Sequence, residues 1–349
     1  MSQKAKIFTL FLVTLLANLG VLSAAKKRDE LTSDKAEFTG IARPVLWREP
    51  TDMAARDLVY GSGGKEHAPA PPFTFLEEDM NGSQPKFDVR DANGTKWGVK
   101  LGPEAKPETA ASRLVWAAGY FTTEDYFLHE IQVRNMPRHL KRKAGDKFIQ
   151  PDGTVLDVRL KRHPKDGRKI ANWEWRNNPF TGTRELDGLR VVMAVINNWD
   201  LKDKNNAIYR VKRIPQGEGP GLIYLISDLG ASFGTARLIE DRKKAKGDLN
   251  EYLHSKFIRK VEGNSVDFED PHRPSMIILG APHEYFSRVN LEWIGKDIPL
   301  ENVRWMGQIL GQLSPEQIRD AFSAAGFSPE EVAGFASEVD SRIGQLKHL

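Results

Sequence analysis

An α+β fold is predicted for this chain: a small antiparallel sheet plus a helix, followed by a mainly helical region. Three observations predict it. Strand and turn signals crowd the stretch from Leu58 to Leu101, a well-marked helix follows at Pro107, and beyond Asp228 the apolar spacing is that of helices.

Before the sheet, Lys4 and Lys6 precede an apolar run from Ile7 to Leu22, then Ser23-Ala24-Ala25, then Lys26-Lys27. A basic start, an apolar centre and a small-residue cleavage site describe a secretory signal. Residues 1–25 are therefore read as a signal peptide and the protein as secreted or periplasmic. The run is short for a spanning helix, and retention as an uncleaved anchor is the alternative. No second apolar segment is long enough to span a bilayer, so no stable membrane span is expected after leader cleavage. Residues 26–55 are charged and weakly patterned, and are expected to be a flexible lead-in.

Composition excludes several chemistries. The chain has no Cys, which rules out disulfides, zinc–thiolate sites and a thiol nucleophile. Its formal charge is +4, of which the leader carries Lys4 and Lys6, so no nucleic-acid footprint is expected. Basic clusters at Arg138 to Lys147 and Arg159 to Lys169 read as solvated strands and a hairpin; recognition of an acidic or phosphorylated substrate is the alternative. Neither H-E-x-x-H, G-x-S-x-G nor G-x-x-x-x-G-K-[ST] occurs, and His129-Glu130 and His283-Glu284 read as ordinary surface or core residues.

Within 56–170, Leu58-Val59-Tyr60 runs into Gly61-Ser62-Gly63-Gly64, and Phe73 to Leu76 alternates as a strand. Asn81-Gly82 makes a turn, Lys86 to Arg90 a second strand, Asn93-Gly94 a hairpin signal, and Thr95 to Leu101 the returning strand. Pro107 suits a first helical position, Glu108 the positive end of the helix, and Gly119 its stop. Ala111, Leu114, Val115 and Ala118 share one face. Tyr126 to Val133 and Thr154 to Leu160 read as two further strands.

In 171–349, Trp173, Trp175 and Phe180 mark an irregular aromatic connection, and Leu189 to Ile196 suits a buried helix. Ser314-Pro315-Glu316-Gln317 and Ser328-Pro329-Glu330-Glu331 each read as a capping box. Phe322, Phe327, Val332 and Phe335 are expected in the core.

The chemistry concentrates at Trp199 to Asn206, W-D-L-K-D-K-N-N. Asp200 is followed by Lys202 and Asn205, and after the apolar run Leu222 to Ile226 comes Asp228-Leu229-Gly230. Upstream, Trp97-Gly98-Val99-Lys100 puts a lysine in an apolar strand, where an ammonium is costly to bury unless paired. Glu108 is the preferred partner and Glu104 the second choice; an edge-strand Lys exposed to water is the bland alternative. Gly61, Gly63 and Gly64 could bring backbone N–H groups to a phosphate, or make a plain hairpin turn.

In this order the pieces resemble the active site of the protein kinase-like superfamily, over roughly Leu58 to Gly234, and are closest to its divergent secreted or atypical members. The resemblance implies a two-lobed fold, with 56–170 as an N-lobe-like sheet and helix and 171–349 as a helical C-lobe-like region. It implies ATP or another nucleoside triphosphate with Mg²⁺ or Mn²⁺. Lys100, braced by Glu108, would grip phosphates, and Asn205 and Asp228 would hold metal. Asp200 would orient the acceptor hydroxyl, and Lys202 would face the transferring group. The acceptor is a hydroxyl-bearing molecule of unknown class, acidic in one reading. Departures are specific: Trp199 replaces the Arg of H-R-D, Leu229 replaces the Phe of D-F-G, and no A-P-E follows. A non-catalytic kinase-like scaffold and an unrelated extracellular binding protein are the competing expectations.

Overall fold

The computed structural model describes residues 42–82, 84–163, 167–214, 217, 219–235, 246–269, 286 and 289–349. The signal peptide, most of the lead-in and His283-Glu284 lie outside the described residues.

The fold is α+β. Five strands, β2 (Phe73–Glu78), β3 (Lys86–Arg90), β4 (Lys96–Lys100), β5 (Asp125–Arg134) and β6 (Thr154–Arg162), close into a barrel in the order β2-β3-β4-β6-β5. The expected antiparallel sheet is corrected in one respect. Its edges meet through a parallel pairing of β2 with β5, Phe73 opposite Val133. Strand alternation sends Phe87, Val89, Trp97, Val99, Val158 and Leu160 into the barrel core. The intervening residues of β3, β4 and β6 face outward, and this outer face carries the charged groups.

Helix α1 (Ala105–Ala117) packs on β5 and β6 and, across from them, on the turn Leu229–Ala231 and on helix α5 (Pro315–Ser323). It begins two residues before Pro107, whose missing N–H falls in the first turn, where no intrahelical partner exists. Gly119 ends it at φ +95°, and a Cβ there would lie 2.2 Å from the Arg48 oxygen, so only glycine fits.

A second sheet runs β1 (Arg43–Val45), β9 (Gly221–Ile226), β8 (Asn206–Val211), β7 (Gly167–Ala171), with β1 parallel to β9. Two expectations change here. Residues 42–55 of the lead-in are built into the fold: Leu46 and Met53 are buried, and Trp47 donates to the Ala118 oxygen at 2.8 Å and packs edge-on against Trp305. The region after 171 also contains more sheet than expected, including a three-stranded sheet of β10 (Ile258–Glu262), β11 (Ser265–Phe268) and β12 (Ile298–Pro299).

Further helices are α2 (Arg184–Val195), α3 (Leu249–His254), α4 (Leu300–Leu310), α5 and α6 (Pro329–His348). Ser314 and Ser328 form complete capping boxes with Gln317 and Glu331. Phe322 and Phe335 stack at 5.1 Å within the large core, which also takes in Phe327 and Val332.

Candidate functional site

Lys100 is the last residue of β4. Its strand neighbours Val99 and Leu101 are buried in the barrel core, so Lys100 takes the opposite face. Only 4 % of it is exposed. A buried ammonium needs counter-charge, and three carboxylates supply it: Glu108 Oε2 at 2.7 Å, Asp228 Oδ1 at 2.8 Å and Glu104 Oε2 at 3.0 Å. Glu104 and Glu108 sit at the start of α1, where the helix dipole favours negative charge. The preferred partner and the second choice both bond the lysine.

A second cation stands behind. Arg159 lies opposite Lys100 in the β4–β6 register, fully buried, with Nη2 2.8 Å from Glu108 Oε2 and Nη1 3.5 Å from Asp125 Oδ1. Lys246 closes the other side by bonding Glu104, and its ammonium lies over the Trp199 ring. Charges therefore alternate from Asp125 through Arg159, Glu108 and Lys100 to Glu104 and Asp228.

The electrostatics follow. Burial alone would lower the Lys100 pKa, but Glu108, Asp228 and Glu104 outweigh it and hold the ammonium above its ordinary value. Burial pushes Asp228 upward, and Lys100 overrides it, leaving that carboxyl well below the usual range. Glu104 is lowered in the same way by Lys100 and Lys246 against its own burial. Asp125 moves the other way: burial raises it despite Arg159.

Asp228 ends the segment after β9 with φ 57° and ψ 49°, a left-handed backbone uncommon outside glycine. Two residues later Gly230 is constrained by packing: a Cβ there would lie 2.6 Å from Glu104 Cβ. The end of β9 is joined to the segment after α1, since Ile226 N donates to the Phe121 oxygen at 2.9 Å. These ties fix Asp228 against α1.

The polar loop after α2 is organised by its own side chains. Asp200 N donates to Asn198 Oδ1 at 2.9 Å, Asn205 Nδ2 to the Asp200 oxygen at 2.7 Å, and Ser227 Oγ to the Asn205 oxygen at 2.6 Å. Lys202 is ion-paired with Asp200 at 2.8 Å. The Asn205 nitrogen is thus committed to the loop, and its amide oxygen is the atom left to act as a ligand.

Lys100, Glu108, Asp200, Lys202, Asn205 and Asp228 all line one cavity of about 930 Å³. That volume lies within the range of small-ligand sites. Oxygens of Glu104, Glu108 and Asp228 lie within 4.8 Å of one another, a spacing that suits a cation. The Lys100 ammonium sits among them. Asp228 and the Asn205 amide oxygen are hard donors, so their chemistry fits Mg²⁺ or Mn²⁺.

The glycine loop requires correction as the phosphate cover. Gly61, Gly63 and Gly64 do not line this cavity; a short turn of 3₁₀ helix packs Gly61 against Arg113 and Gly63 against Tyr126, whose hydroxyl donates to the Gly64 oxygen at 2.8 Å. The loop that borders the cavity is the β2–β3 turn, with Asn81 and Gly82. Sequence reasoning also passed over Arg159, Asp125 and Lys246. Arg159 did carry a signal, since it falls between the apolar residues Val158 and Leu160 of β6.

No family model and no curated protein matches this chain. Among solved structures it is similar to the proinflammatory kinase CtkA of Helicobacter pylori, at 10 % identity over 80 % of this chain and 98 % of that one, with a TM-score of 0.44. It is also similar to the Golgi casein kinase with Mn and ADP bound, at 11 % identity over 80 % and 72 %, with a TM-score of 0.36. These are likenesses to protein-kinase-like folds, and at such scores they carry no weight for the chemistry.

Proposed function

We propose that this chain is an exported, two-lobed kinase-like phosphotransferase, of the divergent secreted or atypical kind, that moves a phosphoryl group from a nucleoside triphosphate to a hydroxyl acceptor. One observation carries the reading. Lys100 and Asp228, 128 residues apart, meet at 2.8 Å in a cavity shared with Asp200, Lys202 and Asn205.

Asp228 and Asn205 would hold Mg²⁺ or Mn²⁺, which supplies charge neutralisation to the phosphates. Lys100, kept charged by Glu108, would hold the donor phosphates once Asp228 turns to the metal. Asp200 would orient the acceptor hydroxyl and take its proton, and Lys202 would offset the charge on the transferring group. The protein's contribution is positioning and charge. A non-catalytic binding role is the second reading, and it is favoured by the Lys100 ammonium already filling the space between the three carboxylates.

A thermal-shift titration of the mature protein with ATP and Mn²⁺ tests the proposal. Linkage predicts about 2.7 kcal/mol of stabilisation at a hundredfold excess over the dissociation constant. Stabilisation without any ATP turnover favours the binding role, and no stabilisation removes the enzyme. Export is checked by sequencing the N-terminus of protein recovered from its host, which should fall between Ala24 and Lys27.

A further inference from the structure

Three lysines on the cavity wall have no part in that reading. Lys161 lies on β6 two residues beyond Arg159, on the same face of the strand, and pairs across to Gly98 of β4. Lys169 lies on β7 opposite Tyr209 of β8. Lys204 lies in the turn Asp203–Asn205, whose chain is tied to the residue after β7 by Asn172 Nδ2 donating to the Lys204 oxygen at 3.4 Å. All three line the cavity.

The other lysines of the wall are committed. Lys86 pairs with Asp79 at 3.4 Å, Lys202 with Asp200, Lys246 with Glu104, and Lys100 with its three carboxylates. Asp88, across from Gly98, is taken by Lys96 at 2.6 Å. Among the described residues Lys161, Lys169 and Lys204 form no ion pair. The wall holds eight Lys and Arg side chains against six Asp and Glu, a surplus of two positive charges. Lys161 is half-buried, and burial, reinforced by Arg159, pushes its ammonium below the usual lysine range. Glu108 and Asp125 act on this ammonium without forming an ion pair with it, and an ammonium drawn partly out of water without a pair of its own is a group that a bound anion would stabilise.

We infer that Lys161, Lys169 and Lys204 form a second anion subsite in this cavity that takes a phosphate monoester or a comparable oxyanion. The subsite stands on the cavity itself; it rests on the phosphotransferase reading only for which substrate brings the anion. Gly98, across from Lys161, has no side chain, and His163 Nε2 and Asp88 Oδ1 stand 3.4 and 3.6 Å from where its Cβ would be.

Calorimetric titration of the full chain with inorganic phosphate, in EDTA and at low ionic strength, tests it. Saturable binding is expected, falling as salt is added. The pair of substitutions Lys161→Met and Lys169→Met should weaken it at least about tenfold, because each lost charge contact removes a charge-assisted bond. The thermal midpoint of Lys161→Met should not fall, since the substitution removes a desolvated charge; this reads the fold separately from binding. No saturable binding by wild type, or equal binding by the double variant, overturns the subsite. Repeating the titration with ATP and Mn²⁺ present assigns the source. Undiminished phosphate binding places the acceptor's anion there, competition places the donor's phosphates there, and both support the subsite. If ATP and Mn²⁺ neither bind nor react while phosphate still binds, the phosphotransferase reading fails and the subsite stands.

Discussion

Arg159 and Lys100 converge on one atom: Arg159 Nη2 lies 2.8 Å and Lys100 Nζ 2.7 Å from Glu108 Oε2. They are neighbours on paired strands, so the barrel brings both cations to the same helix. Glu108 therefore keeps a buried partner if Lys100 turns toward a ligand, and α1 stays seated on the barrel.

The two cations should differ in what they do for stability. Arg159→Met leaves Asp125 without its cation in the barrel wall, and should cost about 3–5 kcal/mol, the range for breaking a buried pair. Lys100→Met should cost less, because Glu108 retains Arg159 and Glu104 retains Lys246. Urea denaturation of both variants measures the order, and a reversed order contradicts this account.

Asp228 and Asp200 should separate binding from turnover. Asp228→Asn is expected to weaken nucleotide affinity about tenfold or more in the presence of Mn²⁺, since in the proposed role Asp228 would hold the metal. Asp200→Asn should leave affinity within about twofold while lowering the transfer rate by about 10²–10⁴, the usual contribution of a general base. Calorimetry and a transfer assay read the two quantities. Equal affinities in wild type and both variants, or binding indifferent to metal, would sink the division of roles.

Gly230→Ala should disturb the site from a distance. The new methyl would press on the base of Glu104, which is not a flexible tip. A cost of about 1–3 kcal/mol is expected from overpacking, with a loss of nucleotide affinity as Glu104 leaves Lys100 and Lys246. A Tm and an affinity equal to those of wild type would show that the contact relaxes freely.

The pH response has a definite sign. Asp228 is held below its ordinary 3.8 and Glu104 below 4.5, so what they add to stability is present above those values and is lost as pH falls through the lowered ones. Lys100 is raised above 10.5, so its contribution is present below that pH and is lost only as pH rises beyond it. The stability difference between wild type and Asp228→Asn should thus be constant through neutral pH and shrink below 3.8. A difference that persists unchanged into acid would contradict the Lys100–Asp228 linkage.

Much of the site was legible because its chemistry is costly where it stands. A lysine in an apolar strand and an acidic first helical turn announce a pair, and Lys100 with Glu108 is that pair. Arg159 was concealed by its neighbours: Lys161 and Arg162 give the run a solvated look, while α1, packed on the outer face of β6, buries Arg159 against Glu108. Gly61 to Gly64 misled for the opposite reason. A glycine run permits close approach but does not say to what, and here the neighbours are Arg113 and Tyr126. The barrel closure between Phe73 and Val133 and the pairing of Arg43 with Gly221 are long-range events that no local pattern encodes. The capping boxes at Ser314 and Ser328, by contrast, are written within four residues each and were readable in full.

The parallel pairing of Arg43–Val45 with Gly221–Ile223 bears on how the chain is made. A polypeptide synthesised or exported from its N-terminus presents β1 first, yet its partner strand emerges almost 180 residues later, measured from Arg43 to Gly221. The barrel can close in the interval, because all five of its strands precede Gly167. The early strand must wait, its backbone groups answered by water, until β9 arrives beside it. Since β9 also leads into Asp228, the first described strand and the acidic end of the cavity are completed in the same late step of folding.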